Sequence, residues 1–145
     1  MGRLNTAMLI ALDSNVFIAA LSQNEEHSSI AQQLVRDIAQ GKHRAITSSI
    51  AYGEILSVST SNKNNLDLES FFVHIENLST IPAGDDICLK AGQLRKQYGP
   101  KLKLPDALHT ATAMSVSVDM FITNDIPLSK ITKELLPTTL LAEWH

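Results

Sequence analysis

The stretch Met8-Leu9-Ile10-Ala11-Leu12-Asp13-Ser14-Asn15 limits what this chain can fold into more than any other. An unbroken apolar run ends on a carboxylate. The run is too short for a helix of ordinary length and lacks the polar alternation of a strand with one wet face. It reads as a strand buried on both faces, in the middle of a parallel sheet. Asp13 then stands where the strand ends. Ser14 and Asn15 suit a helix start, and Val16, Phe17, Ile18 and Leu21 supply the next apolar face. In open α/β sheets the ligand site lies outside the carboxyl ends of the strands, so an acid at this point faces it.

The remaining elements follow the same alternation. After a polar turn over Gln23–Ser29, the helical spacing of Ile30, Leu34, Val35 and Ile38 predicts a helix closed by Gly41. Ala45-Ile46-Thr47 reads as a second strand. Ser48 and Ser49 are candidate caps for a helix carrying Ile50, Tyr52, Ile55, Leu56 and Val58. The polar segment Ser57–Asn65 reads as a surface turn. Leu68, Phe71, Phe72, Ile75 and Leu78 mark a further helix, and Ser79–Pro82 a short third strand. Asp85 or Asp86 is expected to cap a helix running to Tyr98, broken by Gly99-Pro100. Leu104–Val116 is expected to be helical, with Pro105 in the first turn, where its missing N–H costs nothing. Asp119–Thr123 reads as a fourth strand ending at Asn124-Asp125, and Leu135–Leu141 as the place of a last one. The expected fold is α/β: a three-layer sandwich with a central, mostly parallel sheet of four or five strands flanked by helices.

Length and composition set the class. A chain of 145 residues, 44% hydrophobic and 19% charged, fits one globular domain over 1–145. The single cysteine, Cys88, suits a reducing cytoplasm. No apolar run approaches the roughly 20 residues of a membrane span, and Asp13 interrupts the N-terminal one too early for a signal peptide. A net charge of -3 argues against a wholesale electrostatic grip on nucleic acid and leaves room for a local basic patch or a metal bridge to phosphate.

Four acids fall at strand ends or helix beginnings: Asp13, Glu54, Asp106 and Asp125. Any one of them has an ordinary explanation, because helix N-termini favour acids. Four converging on one sheet edge repel one another, and the cluster becomes reasonable with a hard cation among them. Magnesium and manganese prefer such oxygen ligands.

These residues carry a resemblance. Asp13-Ser14-Asn15-Val16-Phe17-Ile18, Glu54, Leu104-Pro105-Asp106-Ala107-Leu108-His109 and Ile122-Thr123-Asn124-Asp125 resemble, in that order, the motifs of the PIN-domain ribonucleases, and among them the VapC-like toxins of toxin–antitoxin pairs. The resemblance implies a parallel sheet flanked by helices, an acidic pocket for Mg2+ or Mn2+, and hydrolysis of RNA phosphodiesters. It carries over Asp13, Glu54, Asp106 and Asp125 as catalytic acids. Asp13, Asp106 and Asp125 are expected to hold metal, and Glu54 to be an outer ligand or the acceptor of a proton from the attacking water. It also implies an antitoxin protein as partner and a homodimer.

Other residues keep two readings. Asn15 and Thr123 either brace the acids through hydrogen bonds or cap a helix or turn. His109 lies one helical turn from Asp106 and either faces the pocket or is a buried, satisfied histidine. Arg95, Lys96, Lys101 and Lys103 either grip RNA phosphates or form a solvated face. Three alternatives stay open: an RNA-processing nuclease without a toxin role, a non-catalytic RNA- or protein-binding module, and an aspartyl phosphatase. Asn15 argues against the last, because such enzymes usually carry a second acid two positions after the first.

The apolar residues Val16, Ile18, Leu21, Ile50 and Ile55 exceed what two short helices need for one buried stripe. Part of that surface is expected to receive a partner's helix.

Overall fold

The computed structural model describes residues 6–22, 26–58 and 74–145. Its centre is β1 (Leu9–Leu12), flanked by β2 (Arg44–Ser48) and β4 (Met120–Thr123). The outer strands are β3 (Leu78–Ile81) beside β2 and β5 (Thr138–Leu140) beside β4. The sheet order is β3-β2-β1-β4-β5, and every pairing is parallel.

Parallel neighbours require crossovers, and helices supply them. Along the described chain these are α1 (Ser14–Leu21), α2 (Ser28–Ala39), α3 (Ile50–Val58), α4 (Asp85–Tyr98), α5 (Leu104–Ser115) and α6 (Ile126–Thr132). Side chains alternate along each strand and divide the interior in two. Ile10, Leu12 and Ile122 join Phe17, Leu34 and Ile38 beneath α1 and α2. Ala11, Ile46 and Phe121 join Leu94, Leu102, Ala107 and Ala111 beneath α4 and α5. Phe17 and Phe121 are each 0% exposed, and burying such a side chain contributes about 1.5–3 kcal/mol. The strand end that carries Asp13 is therefore clamped from both faces.

Several expectations shift. The sheet is wholly rather than mostly parallel. Leu78 opens β3 instead of closing a helix, while Leu68, Phe71 and Phe72 lie outside the described residues. Gly84 is the cap of α4, and Asp85 and Asp86 sit inside its first turn, where the helix dipole favours them. The helix α6 has no counterpart in the sequence reading. Of the five apolar residues of which part was expected to receive a partner's helix, Val16 and Ile55 are core at 0% and 2% exposure; Leu21, Leu56 and Val58 are the exposed large apolar side chains on α1 and α3.

Candidate functional site

From β1 the chain builds outward to β2 and β3, then crosses to β4 and β5 on the other side. The direction of winding reverses between β1 and β4, which opens a crevice at their carboxyl ends. Asp13 follows β1 and Asp125 stands two residues past β4, so both acids flank that crevice.

Asp13 is 2% exposed. It is the cap residue of α1, yet its carboxylate makes no capping bond. Thr123 Oγ1 donates to Asp13 Oδ2 at 2.7 Å instead. The same hydroxyl oxygen accepts the Asp125 backbone N–H at 3.1 Å and Asn15 Nδ2 at 3.4 Å, while Asn15 Oδ1 accepts the Asn124 N–H at 2.9 Å. Asn15 lies inside α1, not at its cap, and its side chain satisfies the Asn124 N–H of the turn after β4. Thr123 serves as a turn residue and as a brace for Asp13 at once. Burial pushes the Asp13 carboxyl above its ordinary value, against the opposing pull of His109 and Thr123.

Asp125 caps α6, its Oδ1 accepting the Leu128 N–H at 3.0 Å, so one oxygen has the ordinary structural use. Asp106 lies in the first turn of α5. Its carboxyl is raised to about 6 by burial and by the charges of Asp13, Asp125 and Glu54, with only His109 pulling it down. Asp106 thus senses the charges of the other three acids.

His109, one turn along α5, is 2% exposed. Its Nε2 lies 2.5 Å from Glu54 Oε1 and 3.7 Å from Asp13 Oδ1. Burial pushes the imidazole down; the Glu54 hydrogen bond and the charges of Asp13, Glu54 and Asp106 outweigh it and raise it. Burial likewise pushes Glu54 up, and the hydrogen bonds from His109 and Ser14 hold it below its ordinary value. His109 therefore both faces the pocket and is buried. Its Nδ1 has no hydrogen-bond partner among the described residues. Ser14 escaped the sequence reading, because a serine opening a helix signals no more than a helix start.

Among the described residues, no three His, Cys, Asp or Glu groups stand close enough to enclose a metal ion unaided. The donor chemistry nevertheless fits a hard cation. Asp13, Asp106 and Asp125 supply carboxylate oxygens, the donor type a hard cation prefers. Magnesium typically takes one or two carboxylates and keeps several waters, so it needs no closed protein cage.

The basic residues lie on and after α4. Lys96, Lys101 and Lys103 are exposed, Lys103 directly before α5. Lys101 Nζ stands 6.0 Å from the centre of the Tyr98 ring. Arg95 donates from Nε to the Leu102 carbonyl at 2.9 Å, which gives it a structural use. A cavity of about 260 Å³ is lined by Glu26, His27, Asn124, Ile126, Leu140 and Ala142, and none of the four acids lines it. Among the described residues, no helix is long and apolar enough to cross a membrane.

A family model described as PIN domain matches residues 10–134. Comparison with curated proteins gives no match. Solved structures share the fold at low identity. The VapBC2 complex of Rickettsia felis bound to a promoter DNA fragment is 20% identical at TM-score 0.67, covering 92% of this chain and 98% of that one. A toxin–antitoxin complex from Klebsiella pneumoniae is 21% identical at TM-score 0.66, covering 94% and 98%. VapBC-1 from nontypeable Haemophilus influenzae is 18% identical at TM-score 0.65, covering 94% and 100%.

Proposed function

This chain belongs to the PIN-domain family, and from that premise we propose that it is a magnesium- or manganese-dependent endoribonuclease, the toxin of a type II toxin–antitoxin pair. The observation that supports the reading is the placement of Asp13 and Asp125 just past the carboxyl ends of β1 and β4, with their charges acting on Asp106.

In this reading Asp13, Asp106 and Asp125 hold the cation. When bound, the cation lowers the pKa of a coordinated water and stabilises the charge that grows on the phosphate oxygens. The protein's own contribution is placement. Thr123 fixes Asp13 through Oδ2 and leaves Oδ1 toward the pocket. Glu54, held below its ordinary pKa, is an ionised acceptor that orients water at the rim. Lys96, Lys101 and Lys103 attract the phosphates of a single strand that the acids alone would repel.

The partner reading is supported by the similar structures, which are toxin–antitoxin complexes. Leu21, Leu56 and Val58, exposed on α1 and α3, offer an apolar face for an antitoxin helix. The reading includes a homodimer, as the family resemblance implies, and a cytoplasmic location, where the exposed thiol of Cys88 stays reduced.

The test is expression in a bacterial host with RNA integrity followed over time. The wild-type chain should arrest growth and fragment RNA, and Asp106→Asn should do neither at equal protein level. Intact RNA with the wild-type chain, or equal arrest by both, would remove the proposal.

A further inference from the structure

We infer that the cavity lined by His27, Asn124 and Ile126 is a nucleobase subsite that receives one guanine of a single-stranded RNA. The inference rests on the ribonuclease reading above and adds to it what selects the place of cleavage.

The cavity begins at the neighbours of an acid. Asn124 and Ile126, on either side of Asp125 in the chain, both line it, and none of the four acids does. Neighbouring Cα atoms are about 3.8 Å apart, less than the reach from a phosphate to the base of its nucleotide. A strand whose phosphate meets Asp125 can therefore place a base here. At about 260 Å³ the cavity is smaller than the roughly 300–1,000 Å³ of pockets for drug-sized ligands, and it suits one heterocycle.

The lining offers surfaces for the flat faces of a base. Ile126 is 56% exposed, an isoleucine left in water at the first position of α6. Leu140 and Ala142 add to it from the end of β5 and the turn that follows. Unpaired RNA bases also stack on imidazoles, and His27 supplies one. It stands at the cap of α2, a place that Ser, Thr, Asp or Asn usually takes, and makes no capping bond. Its backbone is left-handed, φ 70°, which few residues with a side chain adopt. Capping does not account for this histidine, and its place in the cavity wall does.

The polar groups choose the base. The Asn124 N–H donates to Asn15 Oδ1 at 2.9 Å, which pins the backbone, while its carboxamide makes no hydrogen bond among the described residues. Glu26 is steadied by His27, whose Nε2 donates to Oε1 at 2.8 Å. An ionised carboxylate only accepts, and an amide also donates. The base edge that meets this pair best has two adjacent donors beside an acceptor. Guanine has that edge: its N1 and N2 hydrogens suit the carboxylate, and its O6 suits the Asn124 amide. Adenine, cytosine and uracil each turn a lone pair toward the carboxylate beside their donor.

The experiment has two arms on the full chain. In the first, guanosine, adenosine, cytidine and uridine are titrated in chelator into isotope-labelled protein and followed by NMR. A nucleoside has no phosphate, so neither metal nor the acids enter. Guanosine should shift the resonances of His27, Asn124 and Ile126 and bind about tenfold more tightly than the others, the lower end for a hydrogen bond to a charged group. Glu26→Gln should cancel that margin and Asn124→Ala should reduce it. Glu26 is exposed and Asn124 half-buried, so both variants should fold. In the second arm, RNA of mixed sequence is cut in manganese and the ends are mapped. Wild-type cuts should cluster at a fixed offset from guanine, and the clustering should fade in both variants.

Equal affinity for the four nucleosides, or shifts away from the cavity, would overturn the inference. No shift with any nucleoside would overturn it too and leave the cavity to a partner's side chain. Cleavage indifferent to guanine would overturn it while the ribonuclease reading stands. Guanosine seated in the cavity of a wild-type chain that cuts no RNA would defeat the ribonuclease reading alone and support the base site.

Discussion

Replacing Asp106 with asparagine should stabilise the metal-free protein, although it removes a residue of the site. The Asp106 carboxyl is raised from 3.8 to about 6, first by burial and then by Asp13 and Asp125. A rise of about two units corresponds to roughly 3 kcal/mol for a fully buried group, and partial exposure reduces it to about 1–2 kcal/mol. Below about pH 4 the carboxyl is protonated in folded and unfolded chains alike, and no penalty exists. Between pH 4 and 6 the folded chain keeps a proton that the unfolded chain has released, so stability falls as pH rises. Above pH 6 the whole penalty is present. Asparagine carries none of it, and it also eases the repulsion on Asp13. For 145 residues the variant should melt about 3–6 °C higher than wild type at pH 8 with chelator, and the gap should close toward pH 4. Manganese should reverse the order. At 100 times its dissociation constant it adds about 2.7 kcal/mol to wild type, and far less to the variant. Thermal melts of both proteins from pH 4 to 8, with chelator and with manganese, supply the answer. A variant that melts lower at pH 8 without metal, or gains as much from manganese, would refute the shared pocket.

Other consequences are as concrete. Thr123→Val should cost about 1–3 kcal/mol by urea denaturation, since it strips Asp13 Oδ2 of its donor and the Asp125 N–H of its acceptor. Lys103→Ala should weaken RNA binding uniformly across sequences and flatten its log–log salt dependence by about 0.7, as for one lost single-strand phosphate contact; an unchanged slope would place Lys103 outside the RNA path. Leu21→Glu combined with Val58→Glu should leave RNA cleavage intact and prevent capture of the antitoxin in co-purification, since both side chains are exposed. Persistent capture would move the antitoxin to another face.

What the sequence exposes depends on how local the signal is. The central strand is legible because burial on both faces writes an uninterrupted apolar run, and Asp13 is legible because that run stops on it. The mostly parallel order is legible because helical periodicity separates most of the strands, the helix between β4 and β5 excepted. The contacts of His109 and Ser14 with Glu54 are not legible, because they join α5, α1 and α3 across large gaps in sequence and depend on how those helices pack. Short elements fail for another reason. The segment Ile126–Thr132 spans about two turns, carries a proline at its second position and buries only Leu128 and Ile131 among its aliphatic side chains, too little for a periodic pattern. Val16 and Ile55 are core because α1 packs against both α2 and α3, so it needs more than one apolar stripe. Asp125 shows a further ambiguity: it is a helix cap and a member of the acid pocket together, and no spacing rule separates the two.

Single-turnover cleavage of an end-labelled single-stranded RNA tests the central claim most directly, with wild type and Asp13→Asn compared in manganese and in chelator. Folding of the variant is checked by circular dichroism. Cleavage should occur with wild type in manganese alone, cease on chelation and return when manganese is restored, while Asp13→Asn remains folded and inactive. Cleavage that survives chelation, or that proceeds undiminished in Asp13→Asn, would contradict the account.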